Sequence, residues 1–233
     1  MCGIAGYINF NKTNLNFDRK RLLSLMNSRG PDDNGIFNEK ERDFNLSLFH
    51  SRLTILDDNP RSSQPYKFKN YVLTFNGEIY NFDEIKKKLI LYGYKFETTS
   101  DTEVVIKAFD KWKSKSFEKF DGMWSICIYD KNSKKIFLSR DRFGEKPLFY
   151  FNDSQNFIFG SEIKYLLNIG NYKTKILEKN KDLIDCFIKQ GYRLLNKNNT
   201  TFFKNIFKVN PGENIEINIL KKKIKKYFFF NKK

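Results

Sequence analysis

The sequence lacks the features that mark secreted, metal-stapled and membrane-spanning proteins. Its 233 residues include only three cysteines, one histidine and five prolines, and the cysteine spacing matches neither a disulfide framework nor a zinc site. The apolar runs are short and interrupted by charge, and no basic segment precedes a long apolar one at the N-terminus. We therefore expect neither a transmembrane helix nor a secretory signal. A reducing, cytoplasmic location fits this composition.

The composition that remains is typical of a folded protein. Hydrophobic residues make up 40% of the chain and aromatic residues 17%, which excludes a disordered chain. At this length we expect one domain, or one domain with an appendage. Its core should be large enough to need no metal ion or disulfide for stability.

Positive charge is concentrated toward the C-terminus. The formal net charge is +16, and residues 173–233 hold 16 Lys and Arg against five Asp and Glu. The lysine run at 221–226 could contact nucleic acid, acidic lipid or an acidic protein face. No nucleic-acid-binding motif accompanies it, so the sequence favours solvated lysines on a surface strand over a nucleic-acid site.

Hydrophobic periodicity predicts helices and antiparallel strands. Apolar residues at helical spacing predict helices over 18–28, 81–93, 100–112, 162–167 and 182–188. Short β-rich runs predict strands over 2–9, 44–49, 71–75, 123–129, 135–140, around 149 and over 156–159, with two or three more between 202 and 230. Because turn residues separate most of these runs, antiparallel pairing is the simplest arrangement.

Two of the predicted helices begin with capping signals. Asn81 is followed three residues later by a glutamate, and Ser100 by Glu103. In the second case we expect a capping box, in which Ser100 accepts from the Glu103 amide and Glu103 reaches back. Cys127, in an alternating strand, and Cys186, in a helix, are predicted to be packing residues.

A cysteine at position two has a specific chemical use. Removal of the initiator methionine would leave Cys2 as the first residue, so that one residue carries both a thiol and an α-amino group. That amino group has a pKa of about 7.7–8.0, close to the optimum for a general base, whereas Cys–His enzymes need a histidine. Alone the motif is weak, because such a cysteine can be a buried small residue. The single histidine, His50, is predicted to form a structural hydrogen bond.

Seven ordered blocks strengthen this weak signal. They are CGIAG at 2–6, RGPD at 29–32, HSRLTI at 50–55, NGEIYN at 76–81, SDTE at 100–103, DGMW at 121–124 and RDRFGEKPLFY at 140–150. Together they resemble the class II glutamine amidotransferase domain of glutamine-hydrolysing asparagine synthetases, and the resemblance extends through SEIK at 161–164 and more loosely through FKNI at 203–206 and PGE at 211–213. It implies an α+β fold, a four-layer αββα N-terminal nucleophile (Ntn) hydrolase sandwich of two antiparallel sheets flanked by helices.

The resemblance also implies a glutaminase that cleaves L-glutamine to glutamate and ammonia through a γ-glutamyl thioester. Cys2 matches the nucleophile. Asn76 and Gly77 match the oxyanion hole, whose donors must meet the charge that develops on the amide oxygen. Taken alone, Asn-Gly is an ordinary turn signal. The blocks at 29–32 and 140–146 are expected to be loops that frame the cleft.

Substrate binding is implied for the charged residues of these blocks. Arg52 matches the residue that binds the α-carboxylate, and Asp101 matches the one that receives the α-ammonium. Taken singly, Arg52 could be a surface cation, and Asp101 could be a first-turn acid favoured by the helix dipole. Three further residues are expected to complete the pocket through backbone carbonyls or a side chain: Leu53, Ile55 and Glu78.

We expect residues 2–170 to form the glutaminase core. Residues 171–233 should continue it, with basic C-terminal strands leading toward a synthetase domain or partner protein outside this chain. No phosphate-binding loop is present, so ATP and Mg²⁺ are expected only in that synthetase part, and this chain is predicted to need no cofactor or metal. The three phenylalanines at 228–230 are predicted to pack against the partner.

Two alternatives stay open. The chain could be the glutaminase half of another class II amidotransferase, of the amidophosphoribosyl or glucosamine-phosphate type, although the blocks at 140–150 and 203–213 favour the asparagine synthetase type. It could also be a non-catalytic scaffold or a glutamine sensor. The presence of the nucleophile together with its matching oxyanion-hole and charged residues favours catalysis.

Overall fold

The computed structural model describes residues 1–11, 15, 17–54, 59–170, 178–191 and 199–230. Within these ranges the chain forms twelve β-strands and five α-helices. The strands are β1 (Gly3–Asn9), β2 (Asp33–Lys40), β3 (Asn45–Arg52), β4 (Tyr66–Phe68), β5 (Tyr71–Ile79), β6 (Gly122–Asp130), β7 (Lys135–Arg140), β8 (Phe149–Asn152), β9 (Asn156–Gly160), β10 (Ile206–Lys208), β11 (Glu213–Asn218) and β12 (Lys223–Phe228). The helices are α1 (Arg19–Met26), α2 (Phe82–Leu91), α3 (Asp101–Trp112), α4 (Ile163–Asn168) and α5 (Lys181–Gln190).

The strands form two six-stranded antiparallel sheets. The order is β10-β8-β9-β1-β3-β2 in the first sheet and β12-β11-β7-β6-β5-β4 in the second. In the first sheet β1 pairs with β3 so that Gly3 lies opposite Ser51. In the second, β5 pairs with β6 along its whole length, with Asn76 opposite Ser125. The start of β1 and the end of β3 therefore lie at the same edge of the sandwich.

Both faces of each sheet are covered, because successive strand residues point to opposite faces. Ile8, Leu46 and Leu138 are among the side chains packed between the two sheets. Tyr7, on the outer face of the first sheet, packs in a cluster with Leu22 of α1 and with residues of α4. Helices α2 and α3 cover the outer face of the second sheet. The predicted αββα sandwich is confirmed, and each fully buried aliphatic side chain contributes about 1.5–3 kcal/mol to it.

The capping box predicted at α3 forms only in part. The Ser100 Oγ accepts a hydrogen bond from the Thr102 amide at 3.2 Å and not from Glu103. The prediction that Glu103 reaches back is wrong: its carboxylate accepts from the Thr98 amide at 2.7 Å and is paired with Lys107. A buried lysine one turn along the helix needs a counter-charge, so the ion pair takes the carboxylate that a local cap would have used.

Asn81 precedes α2 but its side chain does not cap that helix. Instead, its amide donates to the Lys119 carbonyl at 3.0 Å and accepts from the Asp121 amide at 2.9 Å. The side chain thus ties the start of α2 to the segment that enters β6.

Helix α5 lies outside the core. Asn180 caps it by accepting from the Leu183 amide at 3.2 Å, yet none of its residues is buried. The prediction that Cys186 is a packing residue is therefore wrong, because its side chain is exposed, whereas Cys127 is buried between the sheets as predicted. The lysine run at 221–226 is at the surface, in the turn before β12 and along that edge strand. Of the helices in the described ranges, none is long and apolar enough to span a bilayer.

The C-terminal aromatic residues pack mostly on this domain itself. Phe229 is 7% exposed, and its ring stacks on Trp124 with centroids 5.7 Å apart. The Phe230 ring lies against Gly212, whereas Phe228 is 54% exposed. The prediction that all three rings pack against a partner is therefore wrong for Phe229, which follows the end of β12 and is buried in this domain, whereas Phe230 is half-buried.

Replacing Phe229 with alanine should lower the free energy of unfolding by about 3 kcal/mol, because the change removes a buried ring and leaves a cavity beside Trp124. The neighbouring change Phe228→Ala is the matched control and should stay within about 0.5 kcal/mol of wild type. Urea unfolding followed by tryptophan fluorescence measures both. Equal losses in the two variants would contradict this placement of the tail.

Candidate functional site

A cleft lies at the edge of the sandwich where β1 begins and β3 ends. The residues lining it come from the start of the chain, the end of β3, β5 and the first turn of α3, among other segments. Seven of the eight site residues predicted from the sequence line it: Cys2, Arg52, Leu53, Asn76, Gly77, Glu78 and Asp101. The eighth, Ile55, lies outside the described residues. In the described part of the chain, no three His, Cys, Asp or Glu side chains are grouped closely enough to hold a metal ion.

Cys2 is half-buried beside the end of β3. The Leu53 amide donates to its Sγ at 3.4 Å, and the Leu53 carbonyl oxygen lies 3.6 Å from the same sulfur. The Arg29 Nε donates to the Cys2 carbonyl oxygen at 2.9 Å. Burial raises the pKa of the thiol, although the Leu53 amide, the chain's amino group and Arg52 act to lower it. The side chain therefore needs a base before it can act as a nucleophile.

Asn76 and Gly77 lie inside a strand, not in a turn. The strand predicted from the sequence ended too early, because β5 remains paired with β6 as far as Ile79. The Asn76 Nδ2 lies 3.4 Å from the Ser125 Oγ. A Cβ at Gly77 would lie 2.1 Å from the Met123 carbonyl oxygen. The close approach of the β6 backbone therefore requires glycine at this position.

Asp101 is the first residue of α3 and is 5% exposed. Its Oδ2 accepts a hydrogen bond from the Ile79 amide at 3.0 Å, which joins the helix to the end of β5. Burial raises the pKa of Asp101 to about 6, and the nearby Glu78 acts in the same direction. A cation that lies beside such a carboxyl group stabilises its ionised form.

Arg52 supplies a cation to the same cleft. It is the last residue of β3, it is 7% exposed, and its Nη1 donates to the Asn59 carbonyl oxygen at 3.4 Å. Its guanidinium and the Asp101 carboxyl group both line the cleft, together with the half-buried Glu78. The cleft thus presents charges of both signs, which suits a zwitterionic amino acid.

Two further buried side chains, Gln64 and His50, contact the backbone of β5, and Gln64 also lines the cleft. The Gln64 Oε1 accepts from the Phe75 amide at 2.6 Å, while its Nε2 donates to the Phe75 carbonyl at 3.2 Å and to the Thr102 Oγ1 at 3.5 Å. The His50 Nε2 lies 3.2 Å from the same carbonyl, and burial lowers the pKa of His50 to about 4. The neutral histidine confirms the predicted structural hydrogen bond. Sequence reasoning missed Gln64, because a lone glutamine in a loop carries no pattern.

The segment 140–146 brings a lysine into the cleft. The buried carboxylate of Asp141 accepts hydrogen bonds from the amides of Phe143 at 3.1 Å, Glu145 at 2.9 Å and Lys146 at 3.0 Å. These bonds hold the loop so that Lys146 lines the cleft while being only 6% exposed. Of residues 140–146, Lys146 lines the cleft, and the sequence analysis did not single it out as a site residue.

A comparison with protein families shows to which family this chain belongs. The model described as a glutamine amidotransferase domain matches residues 1–228. The chain belongs to the glutamine amidotransferase domain family. The conjunction of an N-terminal thiol, an Asn-Gly pair and buried charges of both signs in this amidotransferase domain agrees with that membership.

The amidotransferase domain is similar to glutamine-hydrolysing asparagine synthetases. Asparagine synthetase 2 of Bacillus subtilis is 36% identical over 225 residues, covering 94% of this chain and 29% of its own length. Asparagine synthetase 3 of the same organism is 34% identical over 182 residues, covering 76% and 29%. A Methanocaldococcus jannaschii protein whose name also includes asparagine synthetase is 34% identical over 248 residues, covering 99% and 46%. The chain spans less than half the length of these relatives.

Solved structures show the same fold at lower sequence identity. Glutamine phosphoribosylpyrophosphate amidotransferase from Bacillus subtilis, complexed with ADP and GMP, is 18% identical with a TM-score of 0.66, covering 98% of this chain and 49% of its own. A structure described as the allosteric regulatory enzyme of purine biosynthesis is also 18% identical, with a TM-score of 0.67 and the same coverage. These likenesses concern the fold alone, and they agree with the predicted Ntn hydrolase sandwich.

Asp101→Asn should make the amidotransferase domain more stable at neutral pH. Because burial raises the pKa of Asp101 to about 6, the folded state holds the proton more tightly than the unfolded state. The free energy of unfolding should therefore fall as the pH rises from about 4 to about 6. Asparagine removes this dependence, so at pH 7.5 the variant should be more stable by about 1–2 kcal/mol, with no gain at pH 4. Urea unfolding across this pH range measures the effect.

Glu103→Gln, on the same helix, is a control that should change the free energy of unfolding in the opposite direction. Burial acts to raise the pKa of Glu103, but hydrogen bonds from Lys107 and Thr98 outweigh it and lower the pKa overall. This carboxylate stabilises the fold above the ordinary glutamate pKa and loses that effect as the pH falls. The variant should be about 3 kcal/mol less stable at pH 7.5, because Lys107 is left buried without its partner. Shifts of the same sign in the two variants would contradict this account of the buried carboxyl groups.

Proposed function

We propose that this chain hydrolyses L-glutamine to glutamate and ammonia, and that the ammonia serves a synthetase of the asparagine synthetase type. One observation carries the proposal: a thiol, an amide side chain, a buried guanidinium and a buried carboxyl group meet in one cleft although they lie far apart in sequence. Family membership and the similarity to asparagine synthetases support it.

Glutamine fits the charges of the cleft at its amino-acid end. The Arg52 guanidinium offers a planar fork of donors to the α-carboxylate. Asp101 accepts the α-ammonium with help from Glu78, and the backbone carbonyl of Leu53 adds a further acceptor at the pocket. The incoming ammonium favours the ionised form of Asp101 and so offsets the cost of its burial. A simple amide lacking these charges would leave buried charges unpaired, so the site should reject it.

Cys2 supplies the nucleophile once Met1 has been removed. Its α-amino group, directly or through a water molecule, takes the thiol proton, and the sulfur forms a bond to the side-chain amide carbon of glutamine. The resulting tetrahedral intermediate collapses when the carbon–nitrogen bond breaks. The proton held by the amine passes to the departing nitrogen, which leaves as ammonia. Water then hydrolyses the γ-glutamyl thioester, which yields glutamate and restores the thiol.

The tetrahedral intermediate needs donors for its negatively charged oxygen. The Asn76 Nδ2 and the Gly77 backbone N–H are the groups we assign to this role. They lie on a strand that is paired along its whole length and braced by Gln64 from the other side, so they are held in place before the substrate binds. One such donor is typically worth about 2.7–4 kcal/mol in the transition state.

The synthetase part is proposed to lie outside this chain. No phosphate-binding loop is present in the sequence, so ATP and Mg²⁺ are assigned to that part and no cofactor or metal to this domain. We place the contact with it at the C-terminal tail, where Phe228 is exposed beside the surface lysines of β12. The division of the chain at residue 170 stays a prediction. All three cysteines are free thiols, which accords with the proposed cytoplasmic location.

The purified protein should have the mass of a chain without Met1 and should release glutamate from glutamine. Cys2→Ala should abolish release, because it removes the nucleophile. Cys186→Ala is the matched control, since that thiol is exposed on α5 and does not line the cleft, and it should retain the wild-type rate. Intact-mass measurement followed by a glutamate-release assay provides the test. Equal rates for wild type and Cys2→Ala, or activity of a chain that keeps Met1, would sink the proposal.

Two variants separate transition-state stabilisation from substrate binding. Asn76→Ala should lower kcat by about 100- to 1,000-fold with little change in KM, because its donor acts on the developing oxyanion. Arg52→Lys should raise KM by about 10-fold, because lysine cannot bind the carboxylate with two parallel hydrogen bonds. Steady-state kinetics of glutamate release measure both. A change in KM alone for Asn76→Ala would remove that residue from the oxyanion hole.

A further inference from the structure

Lys146 is a buried cation that the proposed reaction does not use. Its side chain lines the cleft and is 6% exposed. The Nζ lies 3.2 Å from the Sδ of Met1, and in the described part of the chain no carboxylate forms an ion pair with it. A thioether is only a weak acceptor. The main contact of this ammonium group is therefore with the residue whose removal would activate Cys2.

Arg29 places a second cation at the same residue. Its Nη2 lies 3.8 Å from the Met1 Sδ, and its Nε donates to the Cys2 carbonyl oxygen at 2.9 Å. Arg29 also has a carboxylate partner, Glu162, with 3.3 Å between the Nη1 and Oε1 atoms. Arg29 thus has an ion-pair partner, whereas Lys146 forms no ion pair in the described part of the chain.

Removal of Met1 takes the thioether away and leaves the α-amino group of Cys2 at the end of the chain. A neutral amine can accept a hydrogen bond from an ammonium group, whereas a protonated amine is repelled by it. We propose that Lys146 is a positioning residue which keeps the α-amino group of the processed Cys2 neutral, so that it is ready to take the thiol proton. This inference rests on the proposed function, because it gives that amine the role of the base.

Burial and several charged groups act on the amino terminus. Burial lowers the pKa of the α-amino group of Met1. Arg29 and Lys146 lower it further, whereas Cys2 and Asp32 raise it.

Charged groups of both signs surround Lys146. Burial and Arg29 lower the pKa of Lys146, while three carboxylates counteract them: Asp141, Glu78 and Glu145. Around the Cys2 thiol, the further charged groups are Arg52 and Asp101.

The test compares three lysine variants. Lys146→Met should move the acidic limb of the pH profile of kcat/KM upward by about 0.5–1 pH unit, because loss of the cation stabilises the protonated amine. Lys146→Arg keeps the charge and should restore the wild-type limb. Lys208→Met is the matched control: it removes an equal charge from a half-buried lysine that does not line the cleft, and it should leave the limb unmoved.

A second measurement reads the amine without using activity. With ¹³C-labelled cysteine, the Cys2 Cα resonance is assigned by its loss in Cys2→Ala. Its chemical shift follows the titration of the α-amino group of the same residue. In wild type the amine should titrate below the ordinary 7.7–8.0, and Lys146→Met should move the titration upward with the kinetic limb. If Lys146→Met does not fold, the wild-type titration and Lys146→Arg still decide the matter. A wild-type amine that titrates at or above the ordinary value would overturn the inference.

The outcomes distinguish this inference from the proposed function. A wild-type protein that releases no glutamate contradicts the function, while the titration still reports on Lys146. An active wild type whose acidic limb is unmoved by Lys146→Met overturns the inference alone. Equal movement in Lys208→Met also overturns it, since the effect would then be one of net charge. A rise in KM without movement of the limb would assign Lys146 to substrate binding instead.

Discussion

The pairing of β1 with β3 places the second residue of the chain beside the fifty-third, and the cleft depends on that contact. Gly3 lies opposite Ser51, and the Leu53 amide donates to the Cys2 sulfur at 3.4 Å. All seven residues of β1 are buried. A slip of one residue would send each side chain to the wrong face of the sheet. The packing of both faces of β1 therefore fixes where the Cys2 thiol lies.

Two buried carboxyl groups of α3 have pKa values shifted in opposite directions. Glu103 is paired with Lys107, and its charge supports the fold. Asp101, two residues earlier, has its pKa raised to about 6 by burial. An ionised carboxylate at this buried position costs stability. A cation placed beside it would offset that cost.

Hydrogen bonds between side chains and the backbone hold the strand and the loop that carry site residues. Gln64 forms hydrogen bonds with both the N–H and the carbonyl of Phe75. Asp141 accepts from three backbone amides of its own loop. Gly77 allows β6 to approach β5 closely. The charged and donor groups of the cleft thus project from backbone that is already fixed, so little conformational entropy remains to be lost when a ligand binds.

Most helices and strands and most of the cleft could be predicted from the sequence, but β2 and β4 were not among the predicted strands. Alternating and helical periodicities are local, and the blocks around Cys2, Arg52, Asn76 and Asp101 can be read from residues adjacent in the chain. Only the folded structure shows that Phe229 packs on Trp124 and that Glu103 forms an ion pair with Lys107. It also shows that Gln64 and Lys146 line the cleft. These outcomes depend on which distant segments meet in the folded chain. Neither charge nor hydrophobicity at a single position specifies its partner.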